Sequence, residues 1–314
     1  MNELTLFLYK MGEKVKKIFY CSVLLIFVLA GCKETLKENG SPSYIAEIKS
    51  WHNKRIENLK KENGWLNLVG LLWLREGENT IGSSTNNDIV FPPGSPEFIG
   101  TITMKDTNIV INVAGGVNVT YNGSGIKKMQ LHTDAGGKSE MLQLNSLRWN
   151  LIKRQTKIGI RLRDLNSSLV KNFKGIETFP INDEWKIEAK FEQFDPPKKI
   201  PIPNILGMID TSKAAGMVVF EKEGKKFWLD ALDEGDKLFI IFADETSGIE
   251  TYGAGRFLYL DKPKENEKFY IDFNKAYNPP CNFTKFATCP LPPRQNHLKL
   301  RITAGEKVYN GEGH

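Results

Sequence analysis

The sequence predicts a mostly β protein, an N-terminal helix followed by two antiparallel β lobes of sandwich or barrel type. Three observations carry this. Apolar residues keep helical spacing over one stretch, residues 43–62. From Trp65 onward the apolar period is two. Turn signals such as Thr107-Asn108, Asn122-Gly123 and Gly136-Gly137 then divide the chain into many short runs.

Residues 1–31 stand outside this fold. Lys14, Lys16 and Lys17 precede an apolar run from Ile18 to Ala30, the order of a secretory signal peptide. That run is about 13 residues long, against the roughly 20 that a spanning helix needs. It closes on Leu29-Ala30-Gly31-Cys32, which resembles the bacterial lipobox. The expectation is cleavage before Cys32 and membrane attachment through lipid on its thiol, with each buried CH₂ worth about 0.8 kcal/mol. Lys33 replaces the acidic residue that marks inner-membrane retention in some bacteria, which favours the outer membrane. Residues 32–42 are polar and aperiodic and read as a flexible tether.

The helix carries Ile45, Ile48, Trp51, Ile56 and Leu59 on one stripe, with Ser41-Pro42 or Ser43 to start it and Gly64 to end it. His52 lies beside that stripe and reads as a boundary residue. Short strands follow near 79–82, 88–91, 98–104, 107–113, 117–122, 126–132, 140–154 and 157–163. A link at 164–183 separates them from a second set near 184–194, 198–206, 216–222, 225–230, 237–243, 250–260, 268–273 and 298–303. The expected organisation is therefore 43–164 for helix plus first lobe and 165–310 for the second lobe. The six tryptophans read first as core anchors, with an exposed platform for sugars as the alternative.

The net charge is +6 over 314 residues, and lysine and glutamate are interspersed. No basic stripe with interleaved aromatics occurs, so nucleic acid is not an expected partner. Of the four cysteines, Cys21 leaves with the leader and Cys32 takes lipid, which leaves Cys281 and Cys289. An oxidising envelope makes a disulfide their default, with a reduced core pair or a redox or metal role as alternatives. Two thiols and His297 match no zinc spacing, so neither a metal nor a cofactor is expected.

Several blocks are recognisable. Trp51-His52, Gly64-Trp65-Leu66, Gly70-Leu71-Leu72-Trp73-Leu74 and Asn172-Phe173-Lys174-Gly175 come first. Phe242-Ala243-Asp244-Glu245-Thr246-Ser247-Gly248, Thr251 to Leu258, Asp272 to Cys281 and Ala287 to Pro293 follow. Together they resemble the bacterial family known as domain of unknown function 1684, over about residues 45–308. That resemblance implies no activity, cofactor or catalytic residue. Within the first lobe, Glu78-Asn79-Thr80-Ile81-Gly82 and Asn122-Gly123 are similar to the forkhead-associated sandwich, whose members bind phosphothreonine. Ser83 stands where that family's phosphate-reading arginine would be, and Gly94-Ser95-Pro96-Glu97 supplies no Ser-x-x-His. The resemblance therefore implies a fold without the charge-assisted contacts a phosphate needs.

The candidate ligand pocket centres on the strand-turn-strand around Asp244. Alternation puts Arg256 in an apolar row with Tyr252, Leu258 and Leu260, where a guanidinium needs a carboxylate or an anionic ligand. Asp244 and Asp272 are the candidate partners, and Thr246, Tyr252 and Asn278 complete the expected lining. Gly253 and Gly255 inside a strand suggest a bulge or a closely approaching ligand. A structural salt bridge is the alternative. No Gly-x-Ser-x-Gly, Walker loop, Rossmann glycine set or His-Glu-x-x-His is present. The leading expectation is a non-enzymatic envelope module binding a small molecule, glycan or protein. The alternatives are a hydrolase whose residues converge from distant segments, and a pure scaffold if Arg256 is sealed against a carboxylate and no cleft exists.

Overall fold

Ser41 caps the N-terminal helix. Its backbone is extended and its hydroxyl accepts the Tyr44 amide at 3.2 Å, capping a helix with proline in its first turn. The computed structural model describes residues 36–311. The expected leader, Cys32 and the start of the expected tether lie outside them. Asn39, inside the expected tether, is bridged to Asn182. Helix α1 (Pro42–Lys60) buries Tyr44, Ile48 and Leu59. Among the described residues no helix is long and apolar enough to cross a membrane.

The first lobe is a two-sheet sandwich. Its strands are β1 (Leu68–Trp73), β2 (Gly77–Gly82), β3 (Ile89–Val90), β4 (Gly100–Lys105), β5 (Asn108–Val113) and β6 (Thr120–Tyr121). They continue with β7 (Ser124–Gly125), β8 (Lys128–Leu131), β9 (Leu142–Leu144), β10 (Leu147–Arg154) and β11 (Lys157–Asp164). One sheet runs β1-β11-β10-β9-β6-β7 and the other β3-β2-β4-β5-β8. Ile81, Ile102 and Ile111 of one sheet pack against Trp149, Ile160 and Leu162 of the other. Trp149 meets Phe91 edge to face at 5.4 Å. The expected run 140–154 is two strands, because Asn145 turns the chain with a φ of 52°. β1 was not among the expected strands.

After α2 (Ser168–Asn172) come β12 (Lys186–Pro203), β13 (Ile209–Lys222), β14 (Lys225–Glu234), β15 (Lys237–Phe242), β16 (Arg256–Asp261) and β17 (Phe269–Asp272). They form one antiparallel sheet in the order β16-β15-β14-β13-β12-β17, curled into a nearly closed barrel. Val218, Phe220, Leu229, Ile240, Leu258 and Phe273 fill it. The expected strands 184–194 and 198–206 are one long strand, whose pairing with β13 shifts register between Gln193 and Lys198. The expected strand 298–303 joins no ladder. Its apolar side chains Leu298, Leu300 and Ile302 line the barrel core while its amides bond singly to Ala243 and Asp244. Trp149 and Trp185 are core anchors as expected, but Trp228 is half exposed.

The lobes meet through shared apolar clusters. Leu68 of β1 packs with Ile200, Ile202 and Phe257 of the second lobe, and Leu66 packs with Phe173 and Phe283. The Cys281–Cys289 loop belongs to the first of these clusters.

Candidate functional site

β16 turns Arg256, Leu258 and Leu260 to the barrel interior, as alternation requires. Arg256 is fully buried. Its Nη2 donates to Asp244 Oδ2 at 3.3 Å and to the Ile302 carbonyl at 3.2 Å, and its Nη1 donates to the Ala304 carbonyl. The Phe242 ring lies 5.3 Å from its guanidinium carbon. Asp244 is held in turn by the Ile302 amide at 2.8 Å, the Thr246 hydroxyl at 2.7 Å and the Ser247 hydroxyl at 3.2 Å. Thr246 also meets Thr251, hydroxyl to hydroxyl, at 2.9 Å. Burial draws the Arg256 pKa down, and the charges of Asp244 and Glu306 oppose that. This is a sealed ion pair inside the fold, so the expected open pocket at Arg256 is corrected to a structural salt bridge. The glycine reading changes as well. A Cβ on Gly255 would lie 2.4 Å from the Phe242 carbonyl and 2.6 Å from Pro292, so the protein itself uses that space.

The other expected lining residues disperse. Asn278 is fully buried one step away, where its amide donates to Glu306 Oε2 at 2.7 Å and its carbonyl accepts Arg55 Nη2 at 2.8 Å. Glu306 is fully buried, and its pKa is pushed up by that burial while Arg55 pulls it down. Tyr252 is half-buried against the cluster that holds Cys281 and Cys289. Those cysteines are joined as a disulfide, with Cα atoms 6.1 Å apart.

Asp272 does not meet Arg256. It lies at the end of β17 and lines a groove of about 640 Å³. Its Oδ1 accepts the Tyr44 hydroxyl at 2.9 Å and the Asn274 amide at 3.1 Å. Its Oδ2 is buried without a hydrogen-bond partner among the described residues. Burial pushes the Asp272 pKa up, against the bonds from Tyr44 and Asn274. Tyr259, Tyr270, Lys186 and Lys275 share the groove wall. Lys186 has no ion pair among the described residues, and its Nζ sits 5.2 Å from the Tyr44 ring and 5.4 Å from the Tyr270 ring. Tyr259 is 43% exposed and stacks on Phe239 at 4.7 Å.

The groove exists because the barrel does not close. β16 and β17 end the sheet without pairing to each other. Phe257 and Tyr277 exchange backbone hydrogen bonds at 2.8 and 2.9 Å, which zips the seam at one end. Residues 259–270 frame the rest. Sequence reasoning missed Tyr44, Lys186, Tyr259 and Arg55 here. Tyr44 and Arg55 left a signal, since both fall on the helical stripe with Ile48 and Leu59, where a polar group needs a buried partner.

Residues 171–307 match the sequence model of a family described as "Protein of unknown function (DUF1684)". The matched stretch is the second lobe. The match starts at Lys171, so the expected coverage from about residue 45 narrows to the second lobe. The groove lining and the Arg256 salt bridge both lie within the matched residues. No curated protein matches the chain. Among solved structures, an uncharacterised protein of Haloarcula marismortui is 27% identical, covering 44% of this chain and 79% of its own, with a TM-score of 0.37. A forkhead-associated (FHA) domain studied for phosphothreonine-dependent interactions is 18% identical over 29% of this chain and 79% of its own, with a TM-score of 0.21. The FhaA FHA domain, solved with the intracellular domain of another protein, is 17% identical over 30% of this chain and 97% of its own, with a TM-score of 0.21. In the first lobe itself, Ser83 spends its hydroxyl on the Ser95 carbonyl at 2.8 Å, tying the two loops together.

Proposed function

We propose that the protein is a non-enzymatic binding module of the cell envelope, and that its DUF1684 groove takes an acidic, hydroxyl-rich small molecule of the glycan class. One observation carries this reading, the buried Asp272 oxygen left without a donor on the groove wall. An unpaired buried acceptor is costly, and a ligand hydroxyl supplies the missing bond. Lys186 offers a cation for an acidic group, and Tyr259 and Tyr270 offer ring faces to a sugar. A few polar groups converging on a partly apolar wall are the usual form of such a site. The hydrolase reading has less behind it. Among the described residues no serine, threonine or cysteine hydrogen-bonds to a histidine ring, and the His132 ring is engaged by Glu140 at 2.8 Å.

The test is retention on an array of acidic and neutral oligosaccharides. Wild-type protein is expected to hold acidic glycans. Lys186→Met and Asp272→Asn are expected to weaken that binding at least tenfold, with melting temperatures unchanged. Asparagine keeps the acceptor that Tyr44 and Asn274 use, so loss of binding separates from loss of fold. Retention of no acidic glycan, or retention that ignores both substitutions, sinks the proposal. The envelope setting rests on the leader sequence. Cys32→Ala is expected to move the protein from the membrane fraction to the soluble fraction, and unchanged fractionation removes the lipid anchor.

A further inference from the structure

A second site lies in the first lobe, away from the groove. β10 and β11 pair so that Arg148 stands opposite Arg163 and Asn150 opposite Arg161. Trp149, Leu151, Ile160 and Leu162 take the sandwich core, so the three arginines share the other face of the sheet. Like charges directly opposite on paired strands oppose folding. An arrangement of this kind needs an anion, yet the fold does not provide one. Arg163 is only 6% exposed, its Nε is buried without an acceptor, and its side chain makes no hydrogen bond or ion pair among the described residues. Arg161 is equally unpaired. Its Nε is buried without an acceptor, and its guanidinium carbon lies 5.3 Å from the Trp65 ring centre.

Arg148 gives Nη1 to the carbonyls of Asn145 and Leu147 at 2.7 and 2.9 Å, and its Nη2 is 3.8 Å from the exposed Glu62. Asp134 is taken by Arg154 at 2.9 Å. No carboxylate reaches Arg161 or Arg163. Burial and the repulsion of Arg154 and Arg163 draw the Arg161 pKa down to about 10, with Asp134 opposing. A buried cation is normally paired or absent, because removing a charge from water without a partner is among the costliest things a fold can do.

We infer that Arg161 and Arg163, with Arg148 beside them, form a binding site for a tetrahedral oxyanion of the phosphate class. Two unneutralised guanidiniums match a divalent anion, and their planar forks suit bidentate contact with phosphate oxygens. The Trp65 ring covers Arg161 and leaves the guanidinium edge free to donate. Arg161 is only partly buried, so the cluster opens to solvent on its side. The site depends on nothing in the DUF1684 groove, so either proposal can fail alone.

The experiment is calorimetric titration of the full mature chain with inorganic phosphate, then with a phosphomonoester such as glycerol phosphate. Wild type is expected to bind one oxyanion per chain. Arg161→Met and Arg163→Met are each expected to weaken binding at least tenfold. Both variants are also expected to melt higher than wild type in phosphate-free buffer, because each removes an uncompensated charge. Arg163→Gln, which keeps a donor without the charge, covers the case in which Arg163→Met fails to fold, and is expected to bind as weakly. Binding of the monoester alone identifies an organic phosphate as the ligand, binding of inorganic phosphate alone identifies the free ion, and equal binding of both supports a site that reads the shared oxyanion. The inference is overturned if neither is bound, or if both are bound equally by wild type and variants.

Discussion

Arg256, Leu258 and Leu260 line the inner face of one strand, and the position of Arg256 in that row was legible from alternation. Its partner was not. The sequence offered Asp244 and Asp272 equally, and only the turn at Thr246–Thr251 brings the first to 3.3 Å while β17 carries the second to the seam. His52 shows the reverse case. It was expected at the boundary of the helical stripe, and it is half-buried, with its pKa drawn down from 6.5 to about 4 chiefly by that burial. A base with a depressed folded-state pKa stabilises the fold fully above its unfolded pKa, and that stability is lost as pH falls from 6.5 toward 4. At about 1.4 kcal/mol per pKa unit, the loss at full protonation reaches about 3 kcal/mol. His52→Gln is therefore expected to flatten this part of the acid limb, read as urea midpoints between about pH 4 and 7.5. Asp272 and Glu306 have raised pKa values and act in the opposite sense, but they do so in both proteins and cancel in the difference. Parallel curves for wild type and variant contradict the assignment.

At the scale of elements, the two glycines before β16 make opposite predictions. Gly255 has a φ of 85°, and an added Cβ would meet the Phe242 carbonyl and Pro292 well inside contact distance. Left-handed backbone costs about 1–2 kcal/mol for an L residue, and overpacking adds about 1–3 kcal/mol. Gly255→Ala is expected to destabilise the protein by roughly 2–5 kcal/mol in urea unfolding. Gly253 meets nothing nearer than Gly248 Cα at 3.6 Å, so Gly253→Ala is expected to change stability by less than about 1 kcal/mol. Equal effects would mean that the turn tolerates a side chain at both places. The same contrast explains which strands the sequence revealed. Short runs with one buried face alternate visibly, as β4 and β5 do. The first part of β13, Ile209 to Lys213, is largely exposed and polar, and it is held as a strand by pairing with Lys199 to Pro203. Nothing local announces that pairing. Conversely, Leu298 to Ile302 has strand composition because it fills the barrel core, although no neighbour offers it a continuous edge.

At the scale of the whole molecule, the two lobes depend on each other through a few residues. Leu68 belongs to the first lobe's sheet, yet its side chain packs against Ile200, Ile202 and Phe257, and its carbonyl accepts the Thr284 hydroxyl at 3.1 Å. Leu66 is buried with Phe173 and Phe283, and Ser167 donates to its carbonyl at 3.1 Å. The residues from Glu38 onward accordingly pack as one compact unit. The sequence showed the apolar character of the segment from Trp65 to Leu74 but not that it faces two cores, because a residue shared between lobes has no period of its own. Shared burial predicts shared opening. Amide hydrogen exchange of β10 in the first lobe and of β13 in the second is expected to report one common opening free energy in wild type. Leu68→Ala removes a buried side chain at the junction and is expected to cost about 2–5 kcal/mol. It is also expected to split the exchange into two levels, with the less stable lobe opening first. Two separate levels already present in wild type would mean that the junction packs without coupling, and that each lobe folds on the strength of its own core.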